Sequence, residues 1–343
     1  MAPEFIQNVE QLEGLLSEPS PGVMSVLAKL EGDFIILGVA GKMGPSLARM
    51  VKRASDAAET SRRVIGVARF SAKQVETQLR GWGIETIQSD LLDESGVQRL
   101  PDAANVLYLA GMKFGSTGQE AMTWAMNSYL PAVVSNKFCR SRIVALSTGN
   151  VYGLTSVKGG GSPETAPLAP LGEYAMSCLG RERIFEYFSN KLKIPVALIR
   201  LNYACDLRYG VLVDLAKKVR DNVPIDLAMG HFNTIWQGDA NAMILEAFGQ
   251  AASPAIVLNV TGPETLAVRD VCKRFGNLMS RDPKFIGTEA SSALLGDARR
   301  AMQLFGKPSV SAEKLISWVA DWVMRGGASL DKPTHFESRD GRF

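Results

Sequence analysis

Apolar positions along the chain alternate between short unbroken runs and stretches of helical period. The first run is Phe34, Ile35, Ile36 and Leu37, with no polar residue between them, which predicts a strand buried on both faces. Gly38, Gly41 and Gly44 follow at G-x-x-G-x-x-G spacing, and Leu47, Ala48, Met50 and Val51 then recur with helical period. Strand, glycine turn and helix in this order open a dinucleotide-binding unit. Further apolar runs over residues 63–70, 83–92, 106–110, 143–146, 194–201 and 255–260 predict more strands. Helical patterns over 121–134, from Glu173 onward and over 240–248 fall between them. Segment 232–239 reads as a return of the chain to the sheet.

This alternation predicts an α/β fold, a Rossmann-type doubly wound parallel sheet with right-handed connections. Residues 1–32 carry two helical candidates, Phe5 to Leu16 and 24–30, separated by Pro19 and Pro21, and read as an N-terminal helical extension. The nucleotide-binding domain is expected over 33–203 and 232–262. A smaller, helix-rich substrate lobe is expected over 204–231 and 263–343, ending in a polar, irregular tail from Leu330. Segment 158–170 is a Gly/Pro-rich loop.

Ligands of such sheets sit at the carboxyl ends of the strands. The glycine turn there, with Lys42 and Met43 inside it, suits a pyrophosphate: glycine lets backbone N–H groups approach, and the helix N-terminus adds unpaired donors and a positive dipole end. The second strand ends at Ala68-Arg69, where an acid would accept the adenine ribose hydroxyls. An arginine there favours a ribose 2′-phosphate, hence NADP over NAD, although Arg69 also reads as a solvated surface side chain. The third strand ends at Asp90-Leu91, with Asp90 placed to meet the adenine amino group or to cap the next helix. The fourth ends at Ala110-Gly111-Met112, small enough to leave room beside a cofactor. Asn127, on the 121–134 helix, is grouped with the cofactor-binding residues, and the fifth strand runs into Ser147-Thr148-Gly149-Asn150-Val151-Tyr152-Gly153.

Composition narrows the alternatives. The chain has 343 residues, 46% hydrophobic and 21% charged, as in ordinary globular proteins, and is long enough for a large domain plus a lobe. A net charge of +3 points to neither nucleic acid nor a membrane surface. The four cysteines show no C-x-x-C spacing, and with only two histidines no metal site is expected. No apolar run is long enough to cross a bilayer, and the first residues show no secretory pattern, so a cytoplasmic location is expected.

With the glycine motif, STGNVYG and Tyr174 in view, the chain resembles the extended short-chain dehydrogenase/reductase superfamily, and within it the NAD(P)-dependent sugar epimerase/dehydratase group. STGNVYG is similar to that group's Ser-Ser-x-x-Val-Tyr-Gly stretch and places Thr148 at the catalytic Ser/Thr position. Tyr174 matches the catalytic tyrosine, Glu182 a glutamate further along the same helix, and Asp239 an aspartate near the lobe junction. The resemblance implies an enzyme that moves hydride to and from a nicotinamide while the tyrosine exchanges a proton with a sugar-like substrate. It also implies a homodimer formed through the helices over 121–134 and 173–190.

In that family a lysine four residues after the tyrosine lowers its pKa and holds the nicotinamide ribose; here that position is Cys178. An isolated tyrosine, with a pKa of about 10, is less than ~1% ionised at neutral pH and is a poor base. Cys178 is either a further catalytic group or an inert buried thiol. Three readings follow: an active enzyme with a redistributed acid–base system, one with an easily deprotonated substrate, or a non-catalytic NAD(P)-binding sensor or scaffold. For the substrate, Met112, Asn150, Asn202, Arg208 and Trp236 fall where that group builds its cleft, Arg208 as an anion clamp or a surface ion pair and Trp236 as a stacking surface or, more readily, a core residue.

Overall fold

The structure, a computed structural model, describes residues 3–113 and 115–342. Its centre is a seven-stranded sheet of β1 (Phe34–Leu37), β2 (Val64–Ala68), β3 (Glu85–Gln88), β4 (Asn105–Tyr108), β5 (Arg142–Thr148), β6 (Val196–Leu201) and β7 (Ile256–Val260). The order across the sheet is β7-β6-β5-β4-β1-β2-β3, and every neighbouring pair is parallel. Strand order reverses between β1 and β4, and a ligand crevice opens at such a switch point. The unbroken apolar run of β1 has its reason here. Phe34 and Ile36 point into one core, with α2 (Pro21–Lys29), α3 (Gly44–Ala57) and α10 (Gln237–Glu246). Ile35 and Leu37 point into the other, with α5 (Glu94–Gln98), α7 (Leu130–Lys137) and α8 (Gly172–Leu192).

The helix expected over 121–134 is interrupted. It runs as α6 (Glu120–Trp124), a π-helical turn over Ala125–Tyr129, and α7. Pro131 lacks an N–H and its ring would crowd the carbonyl four residues back, at Asn127, so the turn widens there.

The N-terminal extension joins the two halves. In α1 (Val9–Leu16), Leu12 and Leu16 enter the lobe core, while Val23 and Leu27 of α2 enter the sheet core. Polar groups tie the joint: Arg53 donates to the Gly14 carbonyl at 2.8 Å and Asn241 to the Leu16 carbonyl at 2.9 Å.

The lobe is built on α9 (Val211–Arg220), α11 (Val268–Met279) and α13 (Ala312–Met324), whereas α12 (Arg299–Phe305), expected in the lobe, packs against β7 and α10 with Ala301 in the sheet core. One expectation is corrected: segment 232–239 does not rejoin the main sheet. His231–Phe232 pairs with Leu266–Ala267, and Ile235–Trp236 pairs with Ala204–Cys205, in separate two-stranded sheets. The edge of β6 that it would have needed is taken by β7. The tail is irregular but docked. Thr334 donates to Asp214 through its N–H (2.8 Å) and hydroxyl (2.6 Å), Phe336 is buried beside Phe232, and Arg339 donates to the carbonyls of Ala228 and Ser292.

Candidate active site

The glycine turn divides its work. A Cβ on Gly38 would lie 2.8 Å from the Ala110 nitrogen, and φ there is +87°. On Gly44 it would lie 2.1 Å from the Val39 carbonyl oxygen, so α3 could not rest on the turn. A Cβ on Gly41 meets only the Gly38 oxygen, at 3.3 Å. Gly38 and Gly44 are therefore demanded by packing, whereas Gly41 keeps the floor of the crevice low. At the start of α3 no side chain caps the first turn, but the expected row of unpaired donors is reduced: the Gly44 N–H donates to the Gly41 carbonyl at 3.2 Å and Pro45 has no N–H.

A cleft of about 450 Å³ opens on this turn and is lined by Gly38, Gly41, Arg69, Asp90, Leu91, Ala110 and Gly111. The ends of β1 to β4 thus converge as the sequence pattern requires. Arg69 is exposed, and its guanidinium has no hydrogen-bond or ion-pair partner among the described residues. Asp90 uses one oxygen to accept the Leu92 N–H at 3.0 Å and turns the chain. Lys332, from the tail, reaches the same cleft; its distance along the chain hid it from the sequence reading. Asn127 is fully buried beneath. Its amide bonds the Met112 N–H and C=O, both at 2.9 Å, and it also accepts from Arg181 at 2.6 Å.

A second cleft, of about 150 Å³, lies on the lobe side. Thr148, at the end of β5, and Tyr174, in the first turn of α8, meet there through a hydrogen bond between their hydroxyls. Thr148 also donates to Asn150 Oδ1 at 3.0 Å. Asn150, Asn202 and Met43 line this cleft, and so does Thr334 of the tail. Two lysines complete it. Lys42 donates to the Ala204 carbonyl at 3.1 Å and lies 3.6 Å above the centre of the Tyr209 ring. Lys113, not singled out by sequence, lies 5.7 Å from the centre of the Tyr174 ring. Burial pulls both lysines down to about 8, a fall that Asp206 resists at Lys42 and Cys178 at Lys113. No aspartate or glutamate lines this cleft among the described residues.

Burial acts the opposite way on the neutral acids. It pushes the Tyr174 phenol well above its ordinary range, and the Arg181 charge and the Thr148 hydrogen bond only partly offset this. The Cys178 thiol, fully buried and hydrogen-bonded to Tyr174, is also pushed up, the direction that removes thiolate. Glu182, two turns beyond Tyr174, is buried in an ion pair with Arg200 at 2.7 Å and accepts from Ser147 at 2.5 Å. Arg200 passes the network on to the Tyr152 hydroxyl at 2.8 Å. These residues brace the ends of β5 and β6 beneath Thr148.

Other candidates lie away from open space. Arg208 is neutralised by Asp206 at 2.8 Å and by Glu13 of α1 at 2.6 Å. Trp236 is buried edge-on against Trp318, with ring centres 5.4 Å apart. Met112 is engaged through its backbone with Asn127. Asp239 accepts from Ser309 and from the Val310 N–H, tying α10 to the segment before α13.

Sheet order, glycine turn and strand-end clefts together define a Rossmann-type α/β protein. Residues 34–204 match the model of the NAD dependent epimerase/dehydratase family. Solved structures of similar fold include MoeE5 in complex with UDP-glucuronic acid and NAD, 18% identical with a TM-score of 0.70 over 86% of this chain and 100% of that one. They also include UDP-glucuronic acid 4-epimerase from Bacillus cereus in complex with NAD, 18% identical with a TM-score of 0.70 over 85% and 99% of the two chains. A third is dTDP-glucose 4,6-dehydratase from Bacillus anthracis, 14% identical with a TM-score of 0.71 over 86% and 97%. At these identities the likeness is one of fold. No curated protein matches the chain by sequence.

Proposed function

We propose that the protein is an NAD(P)-dependent oxidoreductase, epimerase or dehydratase that acts on a sugar-like substrate by hydride transfer. The observation that carries this reading is the hydrogen-bonded Thr148–Tyr174 pair, set in a cleft beside the glycine turn. The residues of the larger cleft fit a dinucleotide: Gly41 leaves the pyrophosphate floor open, and the first turn of α3 is uncapped. A nicotinamide held there would supply the hydride acceptor. Tyr174 exchanges the hydroxyl proton, and Thr148 orients the same oxygen. Arg69, whose guanidinium has no partner among the described residues, supports NADP through a 2′-phosphate contact; the NAD held by structural neighbours supports the alternative. Because MoeE5 and the Bacillus cereus epimerase were solved with UDP-glucuronic acid, nucleoside-diphosphate sugars are the first substrates to test, with free sugars and sugar acids after them.

Cys178 in place of lysine favours a second reading, a nucleotide-binding sensor or scaffold without turnover. The homodimer also finds support. Exposed Met122, Trp124, Tyr129, Met176 and Tyr187 stand on α6, the π turn and α8, which pack side by side. Among the described residues no helix is long and apolar enough to cross a membrane, and a cytoplasmic location remains part of the proposal.

The test is titration with NADPH and with NADH, followed by tryptophan emission, then a sugar screen with the tighter cofactor, using parent protein and Tyr174→Phe. NADPH preference lost in Arg69→Ala, and turnover lost in Tyr174→Phe, are the expected results. Binding of neither nucleotide by folded protein overturns the enzyme reading.

A further inference from the structure

The pyrophosphate of a dinucleotide is a dianion, and the glycine turn that would receive it has little left to meet that charge. The N–H groups of Gly38 and Val39 donate to the Val67 carbonyl, that of Gly41 donates to Gly38 and that of Gly44 to Gly41, while Pro45 has none. Lys42 sits inside the turn but aims its amine at the other cleft, where the Ala204 carbonyl and the Tyr209 ring hold it. Among the described residues the nucleotide cleft is lined by one carboxylate, Asp90, and two cations, Arg69 and Lys332. Arg69 stands at the end of β2, where the adenine ribose is expected. The positive charge wanted at the turn is thus left to Lys332.

Where Lys332 stands follows from the path of the tail. The two clefts adjoin at the glycine turn, since Gly41 lines the larger and Lys42 the smaller. Lys332 lines the larger and Thr334 the smaller. Two residues of extended chain span at most about 7 Å, so the tail crosses at the turn itself. The crossing is pinned on both sides. Before it, the Leu330 N–H donates to the Arg208 carbonyl at 3.1 Å and Lys217 donates to Ser329 Oγ at 2.7 Å. After it, Asp214 of α9 accepts from both the N–H and the hydroxyl of Thr334. Pro333 biases the backbone of Lys332 to the extended region. The neighbouring carboxylate, Asp331, is paired with Lys217 at 3.5 Å. The Lys332 side chain is exposed, and its ammonium has no hydrogen-bond or ion-pair partner among the described residues.

We propose that Lys332 binds the pyrophosphate of the dinucleotide, so that the C-terminal tail completes the cofactor site from the lobe side. The proposal rests on the reading of the larger cleft as a nucleotide site. Arg69 and Lys332 then divide the work. Arg69 meets the 2′-phosphate and separates NADPH from NADH, whereas Lys332 meets a charge that both nucleotides carry. Asp214, through Thr334, holds the tail over the turn.

The test is calorimetric titration of full-length parent and variants with NADPH and with NADH. Lys332→Met weakens both nucleotides alike, by about five- to ten-fold, between the worth of an exposed ion pair and that of a charge-assisted hydrogen bond. Lys332→Arg keeps the parent affinity within about two-fold, because the charge is retained. Amine acetylation read by mass spectrometry gives a second readout: saturating nucleotide protects Lys332 and leaves the exposed Lys307 of the lobe reactive. Unchanged affinity in Lys332→Met, with a parent that binds, overturns this proposal and leaves the proposed function standing. A parent that binds neither nucleotide overturns both. A loss confined to NADPH would put Lys332 at the ribose phosphate, and an equal loss in Lys332→Arg would mark a packing effect; either overturns the pyrophosphate assignment. Circular dichroism of each variant checks that it is folded.

Discussion

Replacing Glu182 by glutamine removes one charge from an ion pair that water does not reach. Its side chain is 0% exposed and that of Arg200 3%. The pair is bidentate, with Arg200 Nε on Oε1 at 3.0 Å and Nη2 on Oε2 at 2.7 Å, and Ser147 donates to Oε1. Burial lowers the Arg200 pKa, but the hydrogen bonds and charge of Glu182 outweigh it and hold the guanidinium above its ordinary value. It therefore stays charged when its partner is gone. A single unpaired buried charge costs about 3–5 kcal/mol. With a urea m-value of about 3 kcal/mol per molar, the unfolding midpoint of Glu182→Gln falls by roughly 1–2 M. Removing both charges, as Glu182→Leu with Arg200→Met, recovers part of the loss, because what remains is the Ser147 hydroxyl, the Tyr152 oxygen and the Glu164 carbonyl each short of one hydrogen bond, about 1 kcal/mol apiece. Urea denaturation followed by tryptophan emission on the parent, both single variants and the double variant completes the cycle. A Glu182→Gln loss below about 1 kcal/mol, or a double variant as unstable as the sum of the singles, would refute the assignment of a mutually compensating pair.

Two glycines of the same turn part company. Gly44→Ala destabilises by about 1–3 kcal/mol, because its Cβ would lie 2.1 Å from a backbone oxygen. Gly41→Ala unfolds within about 1 kcal/mol of the parent yet no longer quenches with NADPH or NADH, as urea melts and titrations will show. Lys42 carries a pH signature. Its folded pKa is lowered from 10.5 to about 8, so between these values the unfolded chain binds more protons and stability rises with pH. Relative to Lys42→Met, the parent gains on the order of 2 kcal/mol across that window, and parallel pH–stability curves for the two proteins would contradict it. Tyr187→Arg with Met176→Arg converts a dimer to a monomer in sedimentation equilibrium; a parent that sediments as a monomer at micromolar concentration removes the dimer altogether.

By itself the sequence determined what depends on neighbours along the chain. Phe34–Leu37 could only be a strand covered on both faces, and the glycine turn and the start of α3 follow within ten residues of it. The strand-end residues Arg69, Asp90, Ala110 and Gly111 were legible because parallel strands of similar length bring their carboxyl ends to one edge whatever the packing details. The pairing of Thr148 with Tyr174 came from family resemblance to a motif whose two parts lie in adjacent elements. Tertiary structure alone decided the rest. Arg208 reads as an anion clamp or an ion-paired residue, and α1 folds back to place Glu13 against it. Trp236 reads more readily as core than as stacking surface, and Trp318 of α13 packs beside it. Segment 232–239 has strand character, and only the occupancy of the β6 edge by β7 keeps it out of the sheet. Lys113 and Lys332 carry no local signal, because a charged loop residue is ordinarily solvated. Each acquires chemical meaning when an element distant in sequence packs against it, and that meeting is set by topology and by which apolar faces must be buried together.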